Sequence, residues 1–280
     1  MENDNFFDLF NTEYDCQKYL YNLRWPDGRD CPFCRHKKAR LLENGKIVCC
    51  FCDYEMSVRD GIILENSRLS LMTWFNALWY ASSAKFPGKV KVQTYETLDE
   101  IKSNRPALVI KQAIEQALSQ PLTKVKLEGY VEVSVMPIKV KNIFLYLVVA
   151  GELQGRTVLR MWATLHAKKP KSVYDFIEKN ISIGAIISCK YGIADDKKLK
   201  VMGYETAVHR EQYYCKTIEN KAYDLEKVVQ RTSRLSEANK MLNYTCARRN
   251  SLYTPITFED LVQRIAMLPA KSSTNKKAVE

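Results

Sequence analysis

Apolar side chains near the amino terminus recur at every third or fourth position, which is the spacing of one helix face. Residues 12–23 follow this pattern and predict an amphipathic helix. Its apolar face carries Cys16, Tyr19, Leu20 and Leu23. The Trp-Pro-Asp-Gly sequence at 25–28 ends this helix with a turn. Residues 53–64 then alternate polar and apolar positions, so we expect them to supply a strand.

A second helical region runs from about residue 67 to residue 120. Ser70 can cap a helix that carries an apolar, largely aromatic stripe. The stripe consists of Leu71, Trp74, Phe75, Leu78 and Trp79. Gln93–Leu98 predicts a short helix, and a longer helix is expected to end at Leu118, with Pro106 tolerated in its first turn. Two helices joined by a short turn fit a helix-turn-helix, although helix pairs also occur as plain packing units.

From about Thr123 the pattern changes to strands and then to alternating strands and helices. The predicted strands are 131–135, 143–151, 157–164, 184–189 and 205–209. The predicted helices are 172–180, one starting at 217, 237–248 and 258–268. This order is typical of a mixed α/β domain. The polar carboxyl-terminal tail is predicted to be disordered.

Four cysteines form two CxxC pairs separated by fourteen residues, which is zinc-ribbon spacing. The pairs are Cys31 with Cys34, and Cys49 with Cys52. Two such pairs can complete a tetrahedral thiolate site with no position left for a substrate, which predicts a structural zinc ion. Cys50 is an extra thiol, because only Cys49 gives CxxC with Cys52. The competing interpretation is four cysteines that pack as small apolar residues.

Composition narrows the class of protein. The chain has 280 residues, 46% of them hydrophobic, and a formal charge of +11, which favours a polyanionic partner. The sequence has no apolar run long enough to cross a membrane and no basic segment at its amino terminus, so we expect neither a membrane span nor a secretory signal. Nine cysteines, several of them clustered for metal, indicate a reducing cytosol.

Basic residues lie in two regions that could contact nucleic acid, the loop between the CxxC pairs and the second helical region. The candidate DNA-binding residues are Arg35, Lys37, Lys38, Arg40, Lys89, Lys91, Lys102 and Arg105. Such residues bind phosphates in protein–DNA complexes, and a solvated basic loop is the competing interpretation.

The order of these parts resembles the zinc-ribbon insertion-sequence transposases of bacteria, which are relatives of the Merlin elements. The resemblance is carried by LRWPDG, CPFC, the second CxxC, DGII and the SRL before the aromatic helix. It continues through LEGYVEV, GYETAVHR, TIEN and RRNSLYTPITFEDLVQRI. It implies a zinc ribbon and a helix-turn-helix that bind element ends, followed by an RNase H-like domain whose acids hold two magnesium ions.

We therefore predict an α/β fold class in four parts. Residues 1–66 form an amino-terminal helix and zinc ribbon, and residues 67–122 form a helix-turn-helix-like DNA-binding segment. Residues 123–268 form the RNase H-like mixed α/β domain, and residues 269–280 form the tail. The expected partners are double-stranded DNA and further copies of the chain, with no membrane. The expected location is the bacterial cytoplasm, in association with the nucleoid.

The resemblance also identifies where catalytic acids are expected. Its first acid falls on Ser134, directly after Val131-Glu132-Val133, and its second falls on Cys189. Only the third is retained, as Glu219 in TIEN. Because magnesium takes hard oxygen ligands and two-metal cleavage needs carboxylates around the phosphate, we do not expect magnesium to bind.

Other residues could replace the missing acids. Glu132 shares the strand face of Ser134, but the related proteins carry a Glu there in addition to their Asp. Asp195 and Asp196 follow Cys189 closely, but beside Lys197 and Lys198 they fit a solvated loop better than a metal site. A hydrolase built on Ser134, Cys189 and Glu219 is rejected, because no histidine is placed to activate a nucleophile.

Three functions follow from these alternatives. The leading hypothesis is a transposase relative that binds DNA but has lost strand transfer, either as a decayed element or as a domesticated protein. The second is an active transposase that uses displaced acids. The third is a zinc-ribbon scaffold that binds protein partners.

Overall fold

The computed structural model describes residues 6–91, 95, 101, 104–120, 126–140, 143–166, 173–190, 192–209, 216–232 and 234–270. The chain divides into two compact units. Unit 1 is Met1–Ala117 together with Ile256–Glu280, and unit 2 is Leu118–Pro255. Within the described ranges, no helix is both long and apolar enough to cross a bilayer.

Apart from Gln93–Leu98, which lies mostly outside the described residues, the predicted helices and strands are present in their predicted order. Four further elements were not predicted: Phe6–Leu9, Ala39–Leu41, Lys46–Cys49 and Asp196–Val201. The helices are α1 Phe6–Leu9, α2 Glu13–Arg24, α3 Leu71–Ser82, α4 Asn104–Leu118, α5 Val173–Asn180, α6 Asp196–Val201, α7 Lys216–Val229, α8 Leu235–Asn250 and α9 Phe258–Met267. The strands are β1 Ala39–Leu41, β2 Lys46–Cys49, β3 Glu55–Ser57, β4 Tyr130–Val140, β5 Ile143–Gln154, β6 Thr157–His166, β7 Ile186–Lys190 and β8 Glu205–His209. A short 3-10 helix spans Pro87–Lys89.

Unit 1 contains α1, α2 and a small antiparallel sheet of order β1-β2-β3 in its first part. Thr12 and Asp15 form a reciprocal capping box that satisfies backbone N–H groups at the start of α2. Ser70 caps α3, as predicted, and accepts a hydrogen bond from the Thr73 backbone N–H. The predicted last strand of the ribbon is confirmed as β3, which is shorter than the alternating pattern suggests.

The apolar faces of α2, α3 and α9 meet in an aromatic cluster within unit 1. Phe258 of α9 lies 5.5 Å from Phe75 and 5.3 Å from Trp79, measured between ring centroids. Phe10 and Tyr19 complete the cluster, with Phe10 at 5.2 Å from Phe75. The structure therefore differs from the predicted boundary at residue 268, because α9 buries its apolar face within unit 1.

The LRWPDG motif has a structural role beside the ribbon. The Trp25 ring lies between two guanidinium groups, with Arg24 at 4.2 Å and Arg29 at 4.3 Å from its centroid. Arg29 also donates to the Ser57 carbonyl at 2.7 Å, and Arg24 donates to the Asp60 carbonyl at 2.8 Å. The motif thus joins the end of α2 to the strand that closes the ribbon.

Part of the predicted helix-turn-helix lies outside the described residues. The second predicted helix is present as α4, but most of the first, Gln93–Leu98, and Lys102 in the turn are not described. Helix α3 buries seven of its twelve residues and is therefore a packing helix. The predicted disordered tail also lies outside the described residues, apart from its first two positions.

Unit 2 contains a five-stranded sheet of order β6-β5-β4-β7-β8. Strands β4, β5 and β6 are antiparallel neighbours, whereas β7 runs parallel to β4 and β8 runs parallel to β7. This mixed α/β arrangement, with three antiparallel strands followed by alternating helix and strand, confirms the RNase H-like fold class that was predicted.

Helix α7 packs on one face of this sheet. Its buried residues are Ile218, Ala222, Leu225 and Val229, as the helical spacing predicts. Ile218 rests on Gly151 of β5, where a Cβ atom would lie 2.1 Å from the Ile218 Cδ1 atom. A glycine at this position lets the first turn of α7 approach the strand closely.

Candidate functional site

The four predicted zinc ligands converge in unit 1. The Sγ atoms of Cys31, Cys34, Cys49 and Cys52 all lie within 4.8 Å of one another. The Cys31 and Cys52 sulfurs are 3.7 Å apart, and the Cys34 and Cys49 sulfurs are 3.6 Å apart. Zinc–sulfur bonds of about 2.3 Å in a tetrahedron place sulfurs about 3.8 Å apart. The donor set therefore fits a structural zinc ion.

The two CxxC segments fold into similar turns. Arg35 and Asp53, which directly follow the second cysteine of each pair, have positive φ angles of 59° and 55°. The Arg35 N–H donates to the Cys31 carbonyl at 2.8 Å, and the Asp53 N–H donates to the Cys49 carbonyl at 3.2 Å. Each turn directs two thiols toward the same point, so the sulfur arrangement is built by the backbone.

Backbone donors favour the thiolate form at two of the four cysteines. N–H groups of Cys52 and Phe51 lower the pKa of Cys49. At Cys31 burial raises the pKa, but backbone donors from Cys34 and Phe33 outweigh it and lower the pKa to about 7. Cys50 is exposed, and its backbone N–H donates to the Lys38 carbonyl at 3.0 Å. The Sγ atom of Cys49, and not that of Cys50, therefore belongs to the group of four converging sulfurs.

The candidate DNA-binding side chains are surface residues wherever they are described. Arg35, Lys37, Lys38 and Arg40 are exposed on the ribbon, and Lys89, Lys91 and Arg105 are exposed on the helical segment. Two aromatic rings of the ribbon are also exposed, Phe33 at 75% and Phe51 at 73%. The structure thus leaves these basic groups accessible to a ligand.

The positions of the three expected acids fall in unit 2, but they do not all face the same way. The parallel register pairs Val133 with Cys189 and Glu132 with Ser188. Because side chains alternate between faces, Ser134 shares the face of Glu132, whereas Cys189 points to the opposite face with Val133. Cys189 lies in the apolar core, and burial raises the pKa of its thiol. It is therefore separated from Ser134 by the sheet.

Lys190 is the residue of β7 that shares the face of Ser134. Its ammonium group forms an ion pair with the Glu219 carboxylate, in the first turn of α7. The sequence interpretation missed this residue, because it located the second acid by motif and not by the register of β4 against β7. The alternation of strand positions, counted from Glu132 and Ser188, is the signal that identifies it.

The carboxylates considered as replacements for the missing acids already have partners. Glu132 is buried and accepts a hydrogen bond at 3.1 Å from the Ile218 backbone N–H, at the amino end of α7. Asp195 caps α6 by accepting from the Lys198 N–H at 2.9 Å. Asp196 pairs with Lys200 at 3.0 Å. Asp195 and Asp196 therefore stabilise α6, which gives both residues a structural role.

The cysteine site and the mixed sheet define a protein with an amino-terminal zinc ribbon and an RNase H-like domain. Within it, residues 11–55 match the family model of the transposase zinc-ribbon domain. The matched region covers α2, both CxxC turns and the sheet up to the start of β3. The ribbon is therefore similar to the zinc ribbons of transposases. Among curated proteins, none matches the sequence at a significant level.

Solved viral structures show a weak likeness to this chain. One is a simian T-cell lymphotropic virus intasome in complex with PP2A regulatory subunit B56 gamma, 13% identical, with a TM-score of 0.35. That match covers 51% of this chain and 60% of that chain. Another is the HTLV-2 integrase catalytic core domain in complex with magnesium, 10% identical, with a TM-score of 0.34, covering 45% of this chain and 87% of that chain. The fold assignment depends instead on the strand order of unit 2.

Proposed function

We propose that this chain is a DNA-binding relative of transposases whose RNase H-like domain no longer performs strand transfer. The observation that carries the proposal is the ion pair between Lys190 and Glu219. Two-metal cleavage needs carboxylates that hold divalent ions on either side of the phosphate. Here the retained acid is neutralised by an ammonium group, which repels a divalent cation.

Among the described residues, the other two expected acid positions supply no ligands of the required kind. Ser134 offers a neutral hydroxyl, and Cys189 offers a buried thiol on the opposite face. Magnesium prefers several hard, charged oxygen ligands. Asp195 and Asp196 are engaged within α6, so the alternative of displaced acids has no support from the geometry. The residues present do not fit a two-magnesium centre.

DNA binding is the function that the ribbon and the helical segment retain under this proposal. The transposase-type ribbon match and the exposed basic residues support it. The proposed contacts are Arg35, Lys37, Lys38, Arg40, Lys89, Lys91, Lys102 and Arg105. Their side chains would neutralise phosphates, while zinc fixes the turns that present the ribbon residues. Assembly into a homo-oligomer is a further part of the proposal.

A protein-interaction scaffold is the second candidate, and the exposed Phe33 and Phe51 rings favour it. Exposed aromatic groups are enriched at protein interfaces. The two candidates differ in their response to salt. If about five to eight phosphates are neutralised, the log–log slope of DNA affinity against salt is about −5 to −7. A flat response would favour the scaffold.

The test measures binding and cleavage on one DNA duplex. This duplex contains the ends of the insertion element that carries the gene, or the DNA that flanks the gene. We expect salt-dependent binding and no nicking with magnesium or manganese. Arg35→Gln with Lys37→Gln should weaken binding, whereas Lys227→Gln, exposed on α7, is the matched control. Metal-dependent cleavage that is lost in Asp195→Ala or Asp196→Ala would overturn the proposal in favour of an active transposase.

A further inference from the structure

Unit 2 contains a second candidate site, a pocket of about 840 Å³ that the expected acids do not form. Residues from β4, the β5–β6 turn, the first turns of α7 and the end of α8 line it. The volume lies within the range of about 300–1,000 Å³ that is usual for small-molecule and cofactor sites. It opens beside the start of α7, close in sequence to Glu219.

The lining of this pocket is strongly cationic. Arg156, Lys216, Lys221 and Arg249 contribute four positive groups, against one carboxylate from Glu132. Arg249 pairs with Asp224 at 3.3 Å. Among the residues that the structure describes, Arg156, Lys216 and Lys221 have no ion-pair partner within 4.0 Å. The amino end of α7 adds the positive end of a helix dipole.

The single carboxylate of the lining does not neutralise these cations, because it serves the fold. Glu132 is buried and accepts the hydrogen bond from the Ile218 backbone N–H. Asn250, on the opposite wall, is also fixed: its side chain accepts from the Met161 N–H at 2.8 Å and donates to the Met161 carbonyl at 3.0 Å. Hydrogen bonds to the backbone thus hold both side chains, and Arg156, Lys216 and Lys221 remain to attract an anion.

The rim of the pocket adds an aromatic ring to this charge. Tyr253 lines the pocket and is 52% exposed, and the neighbouring Leu252 is 70% exposed. Aromatic side chains beside a basic groove are the platform on which unpaired bases stack. A duplex is too wide to enter such a pocket, whereas a terminal or unpaired nucleotide can be inserted into it.

From this combination we infer that the pocket binds a nucleotide unit of single-stranded DNA. Its phosphate contacts Lys216, Lys221 and Arg156, and its base lies against Tyr253. Binding requires no divalent metal, because the side chains supply the positive charge. The inference rests on the proposed DNA-binding function for the class of ligand, but it places the contact on unit 2 and not on the ribbon.

The test uses the full-length, zinc-loaded protein and a short fluorescein-labelled single strand, with no divalent cation added. Lys216→Gln with Lys221→Gln should weaken binding of the single strand by about tenfold or more, as should Tyr253→Ala. Tyr253→Phe should retain most of the affinity, because the ring is kept. Lys227→Gln, on the same helix but outside the pocket, should have no effect.

Two comparisons separate this site from the ribbon and from a plain phosphate site. Arg35→Gln with Lys37→Gln should weaken duplex binding and leave the single-strand contact, whereas the pocket variants should do the reverse. A deoxynucleoside monophosphate should compete better than inorganic phosphate. Unchanged affinity in the pocket variants, equal losses for duplex and single strand, or equal competition by inorganic phosphate would each overturn the inference. A circular-dichroism melt of each variant verifies that it is folded.

Discussion

Lys190 at the end of β7 forms an ion pair with Glu219 in the first turn of α7, on the sheet face that also carries Ser134. An ammonium group is thus paired with the one acid that the resemblance finds retained. The pair joins the strand to the helix with opposite charges, which is a structural use of the one retained acid. This relationship, more than the absence of acids in the sequence, leads to the proposal of lost catalysis.

The first prediction concerns restoration of a metal site. Ser134→Asp combined with Lys190→Asp places two carboxylates on the face of Glu219 and removes the competing ammonium group. We expect this double variant to bind manganese detectably, measured by titration calorimetry on zinc-loaded protein, while the unmodified protein does not.

The matched control combines Ser134→Asp with Cys189→Asp. The second new carboxylate then lies on the opposite, buried face, where it cannot share an ion with Glu219. We expect no gain in manganese binding and a loss of stability, because an unpaired buried carboxylate is costly. If the Cys189 combination binds manganese and the Lys190 combination does not, the assignment of faces is wrong.

The second prediction concerns the zinc ribbon. Cys49→Ser should remove the bound zinc and unfold the ribbon, because a structural zinc contributes folding free energy directly. Cys50→Ser changes an adjacent but exposed thiol and should leave one zinc per chain. Zinc content by elemental analysis and proteolysis of residues 29–57 measure the two effects. Zinc loss in the Cys50 variant alone would contradict the ligand assignment.

The sequence predicts local structure well where one element suffices to define it. The apolar spacing in α7 predicts its four buried side chains, whereas in α2 only Cys16 and Leu20 of the predicted face are buried. The CxxC spacing identifies all four converging thiols. In these cases a short-range pattern determines the geometry. The strand alternation in β4 likewise predicts that Glu132 and Ser134 share a face.

Features that depend on pairing between distant segments could not be predicted in this way. The register of β4 against β7 decides that Lys190, and not Cys189, faces Glu219. Helix α9 shows an apolar face in its sequence, but nothing local indicates that this face packs against Phe75. The cationic pocket combines residues from separate elements, so its charge is visible only after folding.

The third prediction concerns Glu13, which joins three parts of unit 1. Its carboxylate accepts from the backbone N–H groups of Leu71 and Met72, both at 2.8 Å, and pairs with Arg59 at 3.1 Å. Glu13 belongs to α2, and it therefore accepts hydrogen bonds from the first backbone N–H groups of α3, a helix distant in the sequence. Glu13→Ala should lower the free energy of unfolding by about 1–3 kcal/mol.

Chemical denaturation measures this change, and two variants serve as controls. Glu13→Gln retains one acceptor oxygen and should have a smaller effect. Glu43→Ala removes an exposed carboxylate of the ribbon and should leave stability within about 0.5 kcal/mol of the unmodified protein. An equal loss in the Glu43 and Glu13 variants would contradict the bridging role of Glu13.

The last prediction concerns the contact that places α7 on the sheet. At Gly151 a new Cβ atom would lie 2.1 Å from Ile218 Cδ1 and 3.1 Å from Ile218 Cγ1. Gly151→Ala should therefore destabilise unit 2 by about 1–3 kcal/mol through overpacking. Ile218→Val removes the Cδ1 atom and alone should cost about 0.5–1.5 kcal/mol. Because Ile218→Val also makes room for the new methyl group, the Gly151→Ala, Ile218→Val double variant should be more stable than the sum of the single changes predicts, by about 1 kcal/mol.

Ile177→Val, a buried change on α5, is the matched control and should add to Gly151→Ala without coupling. Equal additivity for the Ile218 and Ile177 pairs, measured by denaturant unfolding, would show that α7 does not rest on Gly151.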